Sequence, residues 1–259
     1  MKLRVTLVQQ ALEWEDAQAN RSCFERLLAP LAGQTDLVVL PEMFTTGFSM
    51  DAERLAEPAG GPTSQWLTAM ARRLDAAVTG SVITRDGGQH FNRLHWAQPD
   101  GLLEHYDKRH LFRMAREHEH YTAGREARVL GWRGFRVCPL VCYDLRFPVF
   151  SRRAGALDYD LLLYVANWPA VRVDAWSTLL KARAMENQAY VAGVNRIGPD
   201  GQGTPHTGQS AALNFLGRPL AELGSSPGVL TAELDLAALR EFRERFPAHL
   251  DADRFTLQA

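Results

Sequence analysis

Three strand-like stretches of the sequence end on residues that can do chemistry. In "GFRVCPLVCYDLRFPVF" the apolar run stops at Cys142, followed at once by Tyr143 and Asp144. "TDLVVLPE" ends on Glu42, and in "EHYDKRHLFRM" Lys108 follows a strand-like segment and precedes an apolar turn. A free thiol has a pKa of about 8.5 and needs activation before it attacks a carbonyl. A desolvated carboxylate can take its proton, and an ammonium can stabilise the negative charge that develops. Cys, Glu and Lys therefore make a set capable of nucleophilic attack on an amide if three strand ends converge on one rim. A strand ending in a sharp turn exposes its last side chain, as a nucleophile elbow does. The Tyr143 N–H would then face the developing oxyanion. Each residue also has an ordinary reading: Cys142 as a structural thiol, Glu42 as a surface carboxylate, Lys108 as a solvated charge. Cys138, deeper in the same run, keeps the structural reading. None of the eight histidines stands in a cysteine-protease context.

The elements that must position these residues alternate between strand and helix. "LRVTLVQQ" alternates like a half-buried strand, while "TDLVVLPE" and "YDLLLYVAN" are continuous apolar runs, the pattern of strands covered on both faces. Residues from Asp16 to Leu31 read as a helix, as does "PTSQWLTAMARRLDA" with Pro62 near its start. "AAVTGSVIT", "FNRLHWA" and "GLLEHYD" read as three strands separated by turn residues. A helix is expected after Pro148, another from Asp174 to Gln188, and a last one from Asp235 to Arg245. "AYVAGVNR", "QSAALNF", "PLAEL" and "GVLTAEL" are strands, and the turn-rich "RIGPDGQGTPHTGQS" is a loop. Strands paired first and last with helices between predict two sheets packed together with helices outside. No internal repeat or linker divides the chain, so residues 1–259 are expected to form a single domain.

Composition narrows the function. The chain has 259 residues, 46% hydrophobic and 23% charged, with a net charge of −1. That balance gives no electrostatic reason to expect nucleic acid or a membrane surface as partner. No run approaches the roughly 18 apolar residues of a membrane span, and Gln9 and Gln10 interrupt the place where an export signal needs its apolar centre. Three cysteines are too few for a disulfide framework. On a strand, Cys138 and Cys142 lie about 13 Å apart, against the roughly 7 Å that a disulfide allows. Reduced thiols point to the cytoplasm.

Together "LPEMFTTGF", "YDKRHLF" and "CYDLRFP" resemble the three motifs of the nitrilase, or carbon–nitrogen hydrolase, superfamily, in order and over essentially the whole chain. "EMFTTGFSM", "KRHLFRM" with "EHEHYTAG", and "ANWPAVR" resemble its bacterial ω-amidase (YafV-like) branch. The resemblance implies an α-β-β-α four-layer sandwich of the α/β class, with two mixed sheets and helices outside. It implies a Glu42-Lys108-Cys142 triad, with Lys108 and the Tyr143 N–H at the oxyanion and a thioester intermediate. The substrate it implies is a 2-oxo acid ω-amide such as 2-oxoglutaramate. Alternatives are another carbon–nitrogen hydrolase, acting on a nitrile, a carbamoyl amine or a short amide, and a silent binding protein of the same fold. The family carries a second glutamate near the lysine; spacing to Gly124 selects Glu117 over Glu119. The expected pocket wall comprises Phe44, Met114, Asn167 and Trp168, with Arg113 and Arg172 as cations for a substrate carboxylate. Trp176, Leu179, Leu180, Arg183 and Asn187 share one helical face, which turns Arg183 toward apolar surroundings as a structural ion-pair residue, and the resemblance implies a scaffolding role for it. His118-Glu119-His120 lacks the i, i+4 histidine pair of a zinc helix, so neither metal nor cofactor is expected. The resemblance further implies a homo-oligomer, at least a dimer, with the segment "RFPVFSRR" and the C-terminal tail in the interface.

Overall fold

The computed structural model describes residues 1–253. Its first half runs β1 (Lys2–Gln9), α1 (Ala17–Leu28), β2 (Leu37–Val39), α2 (Ala52–Leu55), β3 (Glu57–Pro58), α3 (Pro62–Leu74), β4 (Ala77–Asp86), β5 (Gln89–Ala97) and β6 (Leu103–Asp107). There follow α4 (Glu117–His120), β7 (Leu130–Trp132), β8 (Phe135–Val141), β9 (Leu161–Ala166), α5 (Val173–Asn187), β10 (Tyr190–Asn195), β11 (Ile197–Pro199), β12 (Pro205–Thr207), β13 (Ala211–Leu213), β14 (Pro219–Glu222), β15 (Gly228–Asp235) and α6 (Leu236–Arg245). One sheet has the order β15-β1-β2-β4-β5-β6, with β3 beside β4; the other has the order β14-β13-β10-β9-β8-β7.

The alternation of side chains along each strand builds the layers. Leu37 and Val39 of β2 face the main core with Leu3, Val5 and Leu7 of β1, against Val137 and Val141 of β8 from the other sheet. Val38 and Leu40 face the opposite way, onto Phe24 and Leu28 of α1 and Leu67, Met70 and Leu74 of α3. A strand buried on both faces must be apolar at every position, which is why β2 and β9 read as continuous runs. On the second sheet Trp176, Leu180 and Ala184 of α5 complete the core. The result is the expected α-β-β-α sandwich. Local chemistry starts and stops the helices. Asp16 caps α1 by accepting the Ala19 N–H at 2.9 Å, and α3 begins with Pro62 and ends at left-handed Asp75. No helix among the described residues is long and apolar enough to cross a membrane.

Two expectations are corrected. No helix follows Pro148; the segment is irregular through to β9. The Arg153 N–H donates to Asn187 Oδ1 and its guanidinium to Asn187 O, both at 2.9 Å, so the backbone is anchored to the end of α5. Gly155, at φ +55°, ends any chance of a continuing turn. The turn-rich "RIGPDGQGTPHTGQS" contains the hairpin β11–β12, paired from Ile197↔Thr207 to Pro199↔Pro205. Asp200 Oδ1 closes its tip by accepting the Gln202 and Thr204 N–H groups at 2.9 and 2.8 Å. The C-terminal part of the expected subunit interface, residues 254–259, lies outside the described residues.

Candidate active site

Strand direction brings the candidate residues together. β2 is parallel to β4, and β4, β5 and β6 form an antiparallel meander, so β6 runs the same way as β2. Both strands leave the first sheet at one edge, where Glu42 and Lys108 follow. In the second sheet β8 and β9 are parallel; Cys142 follows β8 and Asn167 follows β9. Ligands of α/β sheets collect at such carboxyl ends.

Each segment is fixed by its own contacts. Past β2, the Leu40 N–H donates to Thr79 O at 2.8 Å, and the Met43 N–H to Ser81 Oγ at 2.8 Å. Gly80 allows this docking, because a Cβ there would stand 2.8 Å from the Phe44 ring. The Lys108 N–H donates to Asn92 O at 3.0 Å, and Lys108 O accepts the Gly124 N–H at 2.9 Å. A Cβ on Gly124 would lie 2.0 Å from Asp107 O, so only glycine permits the approach. Cys142 has φ +45°, a left-handed conformation that costs a non-glycine residue about 1–3 kcal/mol. The buried Asp144 carboxylate holds this turn: it accepts from the Val141 N–H at 3.0 Å, Tyr106 OH at 2.7 Å and the His110 N–H at 3.0 Å. Asp144 thereby ties the turn after β8 to the segment that carries Lys108. From α5, Arg183 donates to Leu145 O at 2.6 Å.

The Lys108 ammonium, itself 1% exposed, lies 2.9 Å from Glu42 Oε1 and 3.0 and 2.9 Å from the two Glu117 oxygens. Asn92 Nδ2 also donates to Glu42 Oε1, at 2.8 Å, and to Glu117 Oε1, at 3.2 Å. Glu42 Oε2 accepts the Asn167 N–H at 2.8 Å, and Glu117 Oε2 the Phe112 N–H at 2.6 Å. Glu119 instead points to the surface, where it pairs with Arg116. These two glutamates diverge because the segment is the helical turn α4 and not an extended strand. Two residues apart on a helix, side chains face nearly opposite ways.

Electrostatics separate the members of this cluster. Burial would lower the Lys108 pKa, but Glu117 and Glu42 outweigh it and hold the ammonium charged. Burial raises the Glu117 carboxyl, Lys108 draws it down, and Glu42 raises it again; the net direction is upward. Burial and the Glu42 carboxylate push the Cys142 thiol well up, with Lys108 opposing them. A resting thiol beside a carboxylate base needs its proton removed as it reacts. Burying one ammonium and two carboxylates costs several kcal/mol per ion before compensation, and apolar replacements of such clusters are often neutral or stabilising. Structure alone is a poor reason for this arrangement, and perturbed groups gathered at a cleft are what catalysis requires.

The cleft is a cavity of about 450 Å³ onto which Lys108 and Cys142 open. Tyr143, Asn167, Trp168, Arg172 and Met114 line it, as do Phe48, Phe112, Arg146 and His206. The turn after β8 begins at Cys142, so the Tyr143 N–H lies in its first turn, where no intrahelical acceptor is available. Arg146 lies over the Trp168 ring at 5.1 Å and Arg172 over the Phe112 ring at 5.3 Å. Buried His206 has a ring nitrogen, Nδ1, without a partner; burial and then Arg196 lower its pKa, so it is a neutral hydrogen-bonding group. Two expected wall residues are elsewhere. Phe44 is fully buried on the outer face of the first sheet, 5.5 Å from the Phe24 ring and 5.8 Å from Trp66. Left-handed Met43, at φ +41°, turns the chain so that Phe48 reaches the cavity instead. Arg113 sits on an exposed turn away from the cavity, and Arg146 stands there in its place. Asn92 and His206 carried no sequence signal, one inside a strand and the other within a turn-rich stretch. Among the described residues, no group of three or more His, Cys, Asp or Glu side chains is arranged to hold a metal ion.

Residues 4–244 match the family described as carbon-nitrogen hydrolase. The chain is 53% identical to an omega-amidase YafV of Yersinia enterocolitica over 98% of both chains. It is 33% identical to a 2-oxoglutaramate amidase of Bacillus subtilis, over 97% of this chain and 98% of that one. A solved structure from Xanthomonas campestris, of a CN-hydrolase superfamily protein with an arsenic adduct in the active site, superimposes with a TM-score of 0.97 at 53% identity, covering 100% of each chain.

Proposed function

The chain belongs to the carbon–nitrogen hydrolase family, and from that premise we propose that it is a thiol-dependent ω-amidase. It hydrolyses the terminal amide of 2-oxo acid ω-amides such as 2-oxoglutaramate to the 2-oxo acid and ammonia. The reading rests on one observation above others: a buried ammonium held between two carboxylates opens, with a thiol at a strained strand end, onto a single cavity.

In the proposed cycle Glu42 takes the Cys142 proton while Sγ attacks the amide carbonyl carbon. The Lys108 ammonium and the Tyr143 N–H receive the oxyanion. As the tetrahedral intermediate collapses, the C–N bond breaks and Glu42 returns its proton to the leaving nitrogen, so ammonia departs from a thioester. Glu42 then deprotonates a water that attacks the thioester, and the thiolate leaves and regains its proton. Glu117 holds Lys108 from the side opposite Glu42. Arg172 and Arg146, which line the same cavity, meet the substrate carboxylate. Guanidinium and carboxylate match as a bidentate pair, and each guanidinium rests on an aromatic ring that limits its freedom.

Ammonia release measured across 2-oxoglutaramate, glutamine, a nitrile and a carbamoyl amine tests the reading. Preferential turnover of 2-oxoglutaramate supports it, and a preference for the nitrile or carbamoyl amine refutes it. We further propose a homodimer formed in part by the apolar segment around Val149, which is 51% exposed, to be checked by light scattering. The three free cysteines, Cys23, Cys138 and Cys142, fit the proposed cytoplasmic setting, which cell fractionation tests.

A further inference from the structure

Asn92 takes no step in the cycle above, yet it is fully buried and touches both carboxylates of the cluster. Its Nδ2 and Lys108 Nζ donate to the same two oxygens, Glu42 Oε1 and Glu117 Oε1, at 2.8, 3.2, 2.9 and 3.0 Å. The four atoms close a ring in which two nitrogens bridge two negative oxygens. A carboxylate oxygen has two lone-pair sites. Both sites on Glu42 Oε1 are filled, by Lys108 and Asn92. Glu42 Oε2 carries a single donor, the Asn167 N–H, and so keeps one site.

We propose that Asn92 is a positioning residue that fills Glu42 Oε1 beside a second buried carboxylate and directs the Cys142 proton to Glu42 Oε2. Two carboxylates so close share a proton readily, because like charges raise each other's pKa. One lysine cannot neutralise both. A neutral donor shared between them lowers the cost of both charges without adding a second cation, which would compete with Lys108 for the oxyanion. It also occupies the second lone-pair site of Oε1, which leaves Oε2 as the oxygen with a site to spare. The other titratable groups facing the ring are Cys142 beyond β8 and Tyr121 after α4. Arg93, the next residue on β5, points away to Asp86 and Asp107.

This role rests on the amidase reading for its chemistry, so its test includes a measurement that needs no substrate. The rate of Cys142 alkylation by iodoacetamide and the kcat and KM for 2-oxoglutaramate are followed against pH in wild type, Asn92→Ala and Asn92→Asp. A donor to the charged form favours that form; its loss raises the carboxylate pKa, so the acidic limb of both profiles moves to higher pH. In Asn92→Ala the expected shift is about one pH unit, with kcat down about 10–100-fold and KM within about threefold. The isosteric Asn92→Asp adds a negative charge in place of the shared donor and moves the limb further the same way, and it supplies the test if the alanine variant does not fold. Loss of kcat with both limbs unmoved would reduce Asn92 to a packing role and overturn the proposal, as would wild-type kcat. If the alkylation limb moves while wild type releases no ammonia from any amide, the ω-amidase reading fails and the role of Asn92 stands.

Discussion

Cys138 and Cys142 lie four residues apart on one run of sequence, and burial pushes both thiols up. Their surroundings differ. Cys138 sits inside β8 with regular backbone, paired in register with Leu162 of β9 and packed in the core on the face of the second sheet that α5 covers. Cys142 is one residue past the strand, in a left-handed conformation, with Glu42 and Lys108 beside it and a cavity in front. Burial alone makes a thiol inert. A base, a cation and an exit from the strand are what turn the same side chain into a candidate nucleophile. Asp144 and Arg183 hold that exit in place, so part of the difference between the two cysteines is built by residues of the turn and of α5.

The largest effect that can break this comparison is Cys142→Ala. It should lower kcat by at least about 10⁴-fold while circular dichroism and the unfolding midpoint stay near wild type, because no covalent step is left. Lys108→Gln removes the charge and keeps most of the length. Turnover should fall about 10²–10³-fold, as for loss of an oxyanion donor. It also removes the one neighbour that favours the Cys142 thiolate, so the thiol pKa rises and alkylation at a fixed pH slows. Near-native turnover or faster alkylation would show that Lys108 lacks this role.

The comparison sharpens with the two neighbouring glutamates. Glu117→Gln should cut kcat by about 10²-fold, as for misplacing the oxyanion cation it holds, whereas Glu119→Gln, which removes only a surface pair with Arg116, should stay within about twofold. A larger loss in Glu119→Gln reverses the assignment. Arg172→Ala should raise KM about 10–100-fold with kcat nearly unchanged, since a charge-assisted contact to a distal carboxylate is made equally in ground and transition states. The smallest effect is expected for Cys138→Ala: a loss of about 1 kcal/mol or so in stability from the shortened core side chain, read by denaturant unfolding, with activity retained.

The architecture was legible because the strands that carry the site are buried on both faces. β2, β9 and all of β8 past Arg136 are buried, so the end of each apolar run marks where the chain leaves the sheet, and Glu42 and Cys142 stand there. Lys108 follows the polar, half-buried β6 and carries no such mark; it was legible only as one of three strand ends offering a set, and through the resemblance of "YDKRHLF" to the family motif. Glu117 was legible only through its spacing to Gly124, and that spacing has a physical origin: Gly124 must pack on Asp107 O. The pocket wall was less legible. Phe44 and Phe48 are both aromatic and four apart, and the left-handed turn at Met43 decides which one reaches the cavity. Arg146 follows the cysteine motif with nothing to separate it from a solvated arginine. Asn92 lies mid-strand in "FNRLHWA", where only the partner segments show that it meets two carboxylates. The helix expected after Pro148 failed because tertiary bonds to Asn187 and Glu186 replaced its own. The hairpin in the turn-rich loop is set by the Asp200 turn between two short strands, each too brief to show a period.

The central claim is that Cys142, and not its buried neighbour, forms the covalent bond. Rapid acid quench of the enzyme mixed with 2-oxoglutaramate, followed by proteolysis and mass spectrometry, tests it most directly. The account predicts an acyl adduct on the peptide bearing Cys142, abolished in Cys142→Ala and preserved in Cys138→Ala. An adduct mapped to Cys138, or steady turnover by Cys142→Ala, would contradict it.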